Sequence, residues 1–299
     1  MVLQMKLTDA VADFLTDSAA KGNSAYTLTY YECILKRFAN FTGDIEVSTI
    51  TVSLCKQYYF HLSDDGLTSG SVQTYIRGLR AFLHWLYESE ITNTNICRKF
   101  KLPKAYRKEI NILTDEEISK LYLSFDSDFC GIRNLCMCSL MLDSGLRLLE
   151  VLSLEKSLLH LEDGYCIVNG KCQKQRTVPI GKTSAGLLRT YLEFISAENI
   201  CSPYVFTSID GEPLTRNTVK NVFRKLKKSS GISRLHPHLL RHTFATKYLE
   251  NGGNIYALQS ILGHTSLEMV KRYLHLSQSR VCADFERFSP LDNLNDKAG

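Results

Sequence analysis

A short strand-like stretch lies inside a chain that otherwise has helical periodicity. Residues 165–180 hold two β-rich segments, Tyr-Cys-Ile-Val and Arg-Thr-Val-Pro-Ile, on either side of an Asn169-Gly170 pair. Asn-Gly between such segments is a signal for a β-hairpin, with Lys171 at or just beyond the turn. Elsewhere apolar residues recur every three or four positions, as they do from Leu28 to Phe38. The sequence therefore predicts a mainly α-helical protein with one small antiparallel β-sheet.

The helical pattern is interrupted around Pro103, which divides the chain into two predicted domains. Periodicity stops there in a basic segment, and a capping box that starts at Thr114 opens a new helix. We therefore predict a helical domain over residues 1–103, a basic linker over 104–112 and a second domain over 113–299. A chain of 299 residues is long enough for two hydrophobic cores.

In the first domain, capping residues predict where helices begin and end. Ser24 is suited to start a helix that ends before Gly43. Another helix is predicted over residues 71–88, with an apolar stripe on one side and polar residues on the other. That polar side carries Arg77 and Arg80, which suit either a DNA groove or water.

Composition excludes several classes of protein. Apolar residues make up 44% of the chain and charged residues 22%, which is ordinary for a globular protein. No apolar run approaches the roughly 18 residues of a membrane span, and the N-terminus has no secretory pattern. The ten cysteines show no paired C-x-x-C spacing, so we expect reduced thiols, mostly in the core. We expect a cytoplasmic protein that does not bind a membrane.

Positive charge is concentrated in two acid-poor segments. The net charge is only +5, but residues 213–249 contain nine lysines and arginines and no acidic residue, and residues 98–108 are also basic. Either segment alone is equally well explained as a solvated helix face. Two such segments in a near-neutral chain favour a phosphate backbone as the partner. The candidate DNA-binding residues are Arg77, Arg80, Lys101, Lys104, Arg107, Arg216, Lys220 and Arg224.

Two arginines in apolar surroundings are candidates for binding an anion. Residues 131–155 predict a buried helix, a turn at 144–145 and a second helix that carries Arg147 and Glu150. Arg241 lies among leucines, and a guanidinium keeps its charge when it is buried. The ordinary explanation for Arg147 is a salt bridge with Glu150. The second arginine in a His-x-x-Arg cluster favours a phosphate, because two guanidinium forks match its non-bridging oxygens.

Two histidines and a tyrosine complete the set of candidate catalytic groups. Each of His238, His264 and Tyr273 also has an ordinary explanation as a packed residue with a satisfied hydrogen bond. A zinc site made by His236, His238, His242 and a cysteine is a further alternative, although the spacing matches no standard pattern. Two arginines, two histidines and a phenol are the groups needed to bind a phosphodiester and attack it without a metal.

Four motifs in this order resemble the conserved boxes of the tyrosine recombinases of the phage integrase family. Residues 144–150 resemble the first arginine box, and residues 169–179 resemble the hairpin that carries a catalytic lysine. Residues 237–246 resemble the second box, and residues 262–275 resemble the nucleophile segment. The resemblance covers nearly the whole chain, and its size and layout are similar to those of Xer-type and mobile-element enzymes. It implies a helical, SAM-like core-binding domain followed by an α-rich catalytic domain with a small β-sheet.

This resemblance implies a role for each motif residue. Tyr273 would attack a scissile phosphate, giving a 3′-phosphotyrosyl link and a free 5′-hydroxyl. Arg147, Arg241 and His264 would stabilise negative charge on the phosphate oxygens. Glu150 would support this arrangement by fixing the arginine and histidine geometry.

The resemblance also implies which groups move protons. Lys171 on the hairpin would protonate the leaving 5′-oxygen, and His238 would exchange the proton of the tyrosine. Cys172 stands where a glycine is usual, so Lys174 remains an alternative to Lys171. No metal and no ATP would be required, because fixed cations stabilise the charge and the covalent link conserves the phosphodiester energy.

The implied partners are DNA and further copies of the chain. Strand exchange on double-stranded DNA with a specific core site needs four active sites, so the resemblance implies a homotetramer. We predict that residues 277–299 dock on a neighbouring protomer. Two alternatives remain: a DNA-binding accessory or regulatory protein that no longer cuts, and a topoisomerase-like enzyme that nicks and reseals one duplex.

Overall fold

The computed structural model describes residues 5–101, 111–170, 175–264, 266–268, 270 and 273. The chain divides into two compact units, Met1–Glu109 and Ile110–Gly299. The predicted fold class is confirmed, because both units are mainly helical and the second contains a small antiparallel sheet. None of the described helices combines the length and the apolar character that crossing a membrane requires.

The described part of the first unit is helical. Its helices are α1 (Leu7–Ala20), α2 (Ala25–Thr42), α3 (Val52–Asp64), α4 (Ser69–Glu88) and α5 (Ile96–Lys99). The predicted start and end of α2 are confirmed: the Ser24 side chain accepts a hydrogen bond from the N–H of Thr27, and Gly43 follows the helix with a φ of 74°. α4 begins slightly earlier than predicted, because Thr68 caps it by accepting from the N–H of Ser71.

Aromatic side chains fill the core of the first unit. Phe14 of α1 contacts Phe82 and Trp85 of α4, with ring centroids 5.6 and 5.5 Å apart. α2 and α4 approach closely at Gly78, where a Cβ atom would lie 2.6 Å from Cδ1 of Ile34. This packing fixes α4, the helix whose polar side carries two candidate DNA-binding arginines.

The described part of the second unit combines helices with one three-stranded sheet. The helices are α6 (Asp115–Tyr122), α7 (Phe129–Asp143), α8 (Leu148–Leu152), α9 (Lys182–Ala197), α10 (Arg216–Ser230), α11 (Pro237–Glu250) and α12 (Ile255–Leu262), and the strands are β1 (Leu159–His160), β2 (Tyr165–Asn169) and β3 (Gln175–Pro179). The predicted capping box opens α6: Thr114 accepts from the N–H of Glu117, whose carboxylate accepts from the N–H of Thr114.

The sheet contains the predicted hairpin and one strand that the sequence does not predict. β2 and β3 pair antiparallel, with Val168 opposite Arg176. The additional strand β1 pairs antiparallel with β2. Two residues are too few to show a period of two, so the pattern of the sequence gives no signal for β1. Of the residues between the two hairpin strands, 171–174 lie outside the described residues.

α7 is the buried helix predicted near residue 131, and it packs against α9 and α11. It ends at Asp143, and the predicted turn follows, in which Gly145 has a φ of 64°. A Cβ atom at Gly145 would collide with the ring of Phe244, so the turn needs glycine for its backbone and for space. One detail of the prediction is wrong: Arg147 is not carried by the second helix but precedes it as the N-cap of α8.

Candidate active site

A buried carboxylate lies at the centre of the candidate site. Glu150, in the first turn of α8, is 6% exposed. Its Oε2 accepts a 2.8 Å hydrogen bond from the backbone N–H of Arg147, and its Oε1 accepts one of 2.8 Å from Arg147 Nη1. The salt bridge that is the ordinary explanation for Arg147 is therefore present. Because the carboxylate also binds the N–H at the start of α8, it fixes the backbone from which the arginine extends.

A second arginine reaches the same carboxylate from the sheet. Arg176 on β3 donates from Nη1 to Oε1 of Glu150 at 2.7 Å and from Nη2 to Oε2 at 2.9 Å. Its Nε donates to the backbone carbonyl of Ile261, in the last turn of α12, at 2.7 Å. One side chain thus joins the hairpin, α8 and α12 through a bidentate ion pair and a backbone hydrogen bond.

The third arginine is buried on α11. Arg241 is 4% exposed, and it donates to the carbonyl of Gly145 and, at 2.7 Å, to the carbonyl of Leu262. Its Nη2 lies 3.1 Å from Nε2 of His264, and its Nη1 lies 4.0 Å from Oε2 of Glu150. The structure therefore brings both predicted arginines to a single carboxylate, and one predicted histidine to Arg241.

We call Arg147, Glu150, Arg176 and Arg241 the Glu150 cluster, and two of its members have shifted pKa values. Burial raises the pKa of Glu150, but hydrogen bonds from Arg176 and Arg147 hold it below its ordinary value. Burial, followed by the charge of Arg147, lowers the pKa of Arg241 to about 10, which still leaves it charged at pH 7. Three guanidinium groups and one carboxylate give these four side chains a net charge of +2, which attracts an anion.

The three arginines of the Glu150 cluster differ in accessibility. The side chain of Arg147 is 35% exposed, whereas those of Arg176 and Arg241 are 13% and 5% exposed. Only Nη1 of Arg147 makes a side-chain hydrogen bond within the described residues. Arg147 is therefore the most exposed of the three arginines and has N–H groups that donate to none of the described residues.

The predicted nucleophile lies beside the second arginine box. Tyr273 is 2% exposed, and its hydroxyl is 2.7 Å from Nδ1 of His242, the residue that follows Arg241 on α11. Tyr273 also affects the pKa of Arg241, more weakly than burial and the charges of the Glu150 cluster do. The phenol and the buried guanidinium are therefore electrostatic neighbours.

The histidine that contacts the tyrosine differs from the one that the resemblance implies. His238 is exposed, and its ring centroid is 6.4 Å from that of His242, one turn further along α11. The described contact of the Tyr273 hydroxyl is with His242, a residue of the second box to which the sequence analysis assigned no catalytic role. A spacing of four residues places both histidines on one helix face, and that spacing was the available signal.

Arg176 is a second site residue that sequence reasoning missed. It alternates with exposed neighbours on β3, and it shares the inward side of the strand with buried Val178. Because side chains alternate between the two faces of a strand, a charged residue in register with an inward valine requires a counter-ion. This pattern was the signal in the sequence for a partner such as Glu150.

The candidate DNA-binding residues of the second unit share one side of α10. Arg216, Lys220 and Arg224 follow one another at intervals of four residues, and all three are exposed. Val219 and Phe223, on the other side of the helix, are buried. α10 is therefore an amphipathic helix with a basic outer face.

The candidates of the first unit differ in their surroundings. Arg77 and Lys101 are exposed. Arg80 is half-buried, and its Nη1 donates to the carbonyl of Cys97 at 2.7 Å and to the carbonyl of Phe100, so this group stabilises the chain around α5. Four candidate residues lie outside the described residues: Lys104, Arg107, Lys171 and Lys174.

The zinc alternative gains no support from the described residues. Among them, no group of three or more histidine, cysteine, aspartate or glutamate side chains is arranged to hold a metal ion. His236 instead caps α11, since its Nδ1 accepts a 2.9 Å hydrogen bond from the N–H of Leu239. Its ring therefore has a structural role at the start of the helix.

Comparison with known proteins gives matches along most of the chain. Residues 111–280 match the phage integrase family, and residues 6–102 match the phage integrase SAM-like domain. Tyrosine recombinase XerD of Listeria monocytogenes serotype 4b (strain F2365) is 30% identical over 295 residues, which cover 95% of this chain and 99% of the relative. Tyrosine recombinase XerC of Bacillus pumilus (strain SAFR-032) is 33% identical over 269 residues, covering 86% of this chain and 88% of the relative.

Solved structures show the same fold. The Tn1549 transposon integrase in complex with a circular intermediate DNA superposes with a TM-score of 0.78 at 19% identity, covering 95% of this chain and 100% of that one. A lambda integrase dimer bound to a core site gives a TM-score of 0.75 at 22% identity, covering 90% and 95%. Together, the two domain matches, the relatives and the shared fold show that the chain belongs to the phage integrase family of tyrosine recombinases.

Proposed function

We propose that this protein is a site-specific recombinase that cuts and rejoins DNA through a 3′-phosphotyrosyl intermediate, with Tyr273 as the nucleophile. The observation that carries the proposal is that Arg147 and Arg241 meet at the carboxylate of Glu150 while His264 contacts Arg241. Family membership supplies the reaction class, and this arrangement supports the choice of residues.

The Glu150 cluster is suited to stabilise the transition state. When an oxygen attacks phosphorus, negative charge grows on the non-bridging oxygens, and donors fixed in a water-poor site stabilise it without having to reorganise. Arg241 is held by two backbone carbonyls and contacts His264, so its position is set before DNA arrives. We propose that Arg147, Arg241 and His264 bind the two non-bridging oxygens.

The proposed proton transfers are balanced. As the Oη–P bond of Tyr273 forms and the P–O5′ bond breaks, the phenol proton leaves and the 5′-oxygen takes one up. A phenol has an ordinary pKa of roughly 10, so it needs a nearby base or cation. We propose His242, which already contacts the hydroxyl, or His238, one turn away, as the group that exchanges this proton. Lys171, or alternatively Lys174, is proposed to protonate the 5′-oxygen.

The proposed reaction uses no cofactor and no ATP. The guanidinium groups provide the positive charge for the phosphate, and the phosphotyrosyl bond conserves the energy of the phosphodiester. The same bond is then attacked by a 5′-hydroxyl in the reverse sense, which rejoins the strand. Cleavage and rejoining therefore use one set of residues.

The proposed substrate is double-stranded DNA with a specific core site, bound in the cytoplasm. The exposed basic face of α10, together with Arg77, Lys101 and the basic linker, would supply phosphate contacts. A lambda integrase tetramer bound to a Holliday junction has the same fold, and we propose a tetramer for this chain during strand exchange. The prediction that the protein acts in the integration or transposition of a mobile element remains a prediction.

The test uses a DNA duplex with a nick beside the cleavage site. Cleavage then releases a short fragment that diffuses away, so the strand cannot be rejoined and the covalent protein–DNA adduct accumulates. We expect an adduct with the unmodified protein and with Tyr256→Phe, a change at a 63% exposed tyrosine. Tyr273→Phe should give no adduct and should bind DNA with little change. If the unmodified protein forms no adduct, the result would favour the alternative of a DNA-binding regulator that does not cut.

Two further measurements separate the other parts of the proposal. A mixture of two labelled duplexes should give recombinant products, whereas relaxation of supercoiled DNA without exchange would indicate the topoisomerase-like alternative. Deleting the residues after 280 should abolish cooperative assembly on DNA while leaving binding by a single protomer. If assembly is unchanged, the predicted docking of the C-terminal segment is wrong.

A further inference from the structure

We infer that Arg176 is a positioning residue for strand cleavage, an inference that rests on the proposed function. Its role is to hold the carboxylate of Glu150 so that Arg147 keeps donors for the scissile phosphate. We assign Arg176 no contact with that phosphate, because its side chain is only 13% exposed and each of its three nitrogens already donates to Glu150 or to the carbonyl of Ile261.

The first step concerns the sharing of one carboxylate. Glu150 accepts from two guanidinium groups, with 2.7 and 2.9 Å bonds from Arg176 and one 2.8 Å bond from Arg147 Nη1. Without Arg176, each oxygen of this buried carboxylate would lose one of its two donors, and Arg147, which already donates to both, has further N–H groups that could replace them. The guanidinium of Arg147 would then pair with Glu150 instead of the phosphate.

The second step concerns the position of His264. Arg176 binds the carbonyl of Ile261 in the last turn of α12, immediately before Gly263. Gly263 ends that helix with a φ of 63°, and a Cβ atom there would lie 3.0 Å from both Cδ and Nε of Arg176. The arginine therefore packs directly against the turn that leads to His264, and its loss would free this turn.

The third step concerns the hairpin. Arg176 stands on β3, the strand that follows residues 171–174, where the proposed general acid lies. Its ion pair with α8 and its hydrogen bond with α12 connect this strand to two other parts of the site. One side chain therefore links the elements that carry Arg147, His264 and the hairpin lysine.

The experiment measures single-turnover cleavage of the nicked duplex at saturating DNA, with either a normal scissile phosphate or an uncharged methylphosphonate at that position. Arg176→Gln should cleave the normal phosphate about 10 to 100-fold more slowly, because small misplacement of catalytic groups has such effects. The DNA concentration for half-saturation should stay within about twofold. Arg176→Lys should restore only part of the rate, since an ammonium cannot form the bidentate pair.

The uncharged linkage separates positioning from a general loss of structure. If Arg176 acts by keeping Arg147 available for a charged oxygen, the defect of Arg176→Gln should shrink severalfold on the methylphosphonate, which has one negative charge fewer to stabilise. Arg189→Gln is the matched control, because Arg189 also pairs with a carboxylate, Glu162, and a carbonyl, but at the surface. It should cleave both substrates at the normal rate.

Each outcome decides the inference. Cleavage by Arg176→Gln at the normal rate would overturn it, and so would a defect of equal size on both linkages. If the unmodified protein forms no adduct, or if Tyr273→Phe still forms one, the proposed function fails, independently of Arg176.

Discussion

Two groups of positive charge in the second unit have opposite surroundings. In the Glu150 cluster, the guanidinium of Arg241 is 5% exposed and held by carbonyl oxygens, and the carboxylate is shared with Arg147 and Arg176. On the outer face of α10, Arg216, Lys220 and Arg224 are exposed at helical spacing. The first group is built into the fold, and the second is presented to solvent.

This difference teaches which charges suit catalysis and which suit binding. Charges that are buried and fixed act in a low dielectric and are little affected by salt, so they can stabilise one transition state strongly. Exposed charges are screened at physiological ionic strength, and each contributes a modest amount to affinity for a polyanion. We therefore expect changes in the Glu150 cluster to alter the rate of cleavage and changes on α10 to alter DNA affinity.

The largest effect is expected at Arg241. Arg241→Gln removes a guanidinium that we propose binds the phosphate, so cleavage at saturating DNA should fall by about 100 to 1000-fold. Arg241→Lys, which keeps the charge but not the fork, should retain more activity. Single-turnover kinetics on the nicked duplex provides the measurement, with circular dichroism as the check on folding. If a folded Arg241→Gln protein cleaves DNA at the normal rate, the buried charges do not determine the rate of cleavage and the distinction from the exposed charges of α10 is wrong.

The next effect concerns stability at Glu150. Glu150→Gln leaves three buried or half-buried arginines without their carboxylate, which should lower the free energy of unfolding by about 3 kcal/mol at pH 7. Because the folded protein holds the pKa of Glu150 below its ordinary value, the stabilisation is present above the unfolded-state pKa of about 4.3 and is lost as the pH falls through the folded-state value.

Urea unfolding of the two proteins at several pH values tests this sign. Their difference in stability should be full at neutral pH and should shrink in acid, below about pH 4. Glu162→Gln, which removes the exposed partner of Arg189, is the control and should change stability by less than about 0.5 kcal/mol. A difference that grows in acid would show that the carboxylate does not have a lowered pKa.

A smaller effect is expected on α10. Replacing Lys220 or Arg224 with glutamine should weaken DNA binding severalfold and reduce the slope of log affinity against log salt by about 1 for each phosphate that the variant no longer neutralises. Cleavage at saturating DNA should be unchanged. Binding titrations at three salt concentrations give the slope. An unchanged salt dependence together with slower cleavage would mean that the outer face of α10 acts in catalysis, whereas we expect it to act only in DNA binding.

The smallest effect on cleavage is expected at Gly263, and Gly231, which has the same backbone conformation, is its control. Gly231 and Gly263 end α10 and α12 with φ values of 72° and 63°, so alanine at either position should cost about 1 kcal/mol of stability. A Cβ atom at Gly231 would meet nothing within 4 Å, whereas at Gly263 it would press on Arg176. Only Gly263→Ala should therefore slow cleavage as well. Equal cleavage rates for both variants would argue against contact between this turn and the site.

The sequence predicted those features that depend on local signals. The cap at Ser24, the capping box at Thr114 and the strand pairing on either side of Asn169-Gly170 depend on residues close together in the chain, and the structure confirms each of them. The tyrosine recombinase family was recognisable because its motifs combine several residue types at fixed spacing. The catalytic assignments of Arg147 and Tyr273 come from the same motifs and remain proposals.

Features that depend on contacts between distant segments were beyond such signals. Glu150 and Arg176 are paired although 26 residues separate them, and Arg176 reaches Ile261 across 85 residues. The contact between His242 and Tyr273 likewise depends on how two segments pack. Composition and periodicity do not predict which distant residues come into contact. An inward-facing arginine on a strand indicates only that some acidic or carbonyl partner exists.

The most direct test of the central claim is to identify the amino acid that becomes attached to DNA. The trapped adduct from the nicked duplex is digested with a protease and a nuclease, and the peptide that carries the nucleotide is sequenced by mass spectrometry. The expected result is a 3′-phosphate linked to Tyr273, beside the buried charges of the Glu150 cluster. Attachment at Tyr248, Tyr256 or any other residue would contradict the proposed active site.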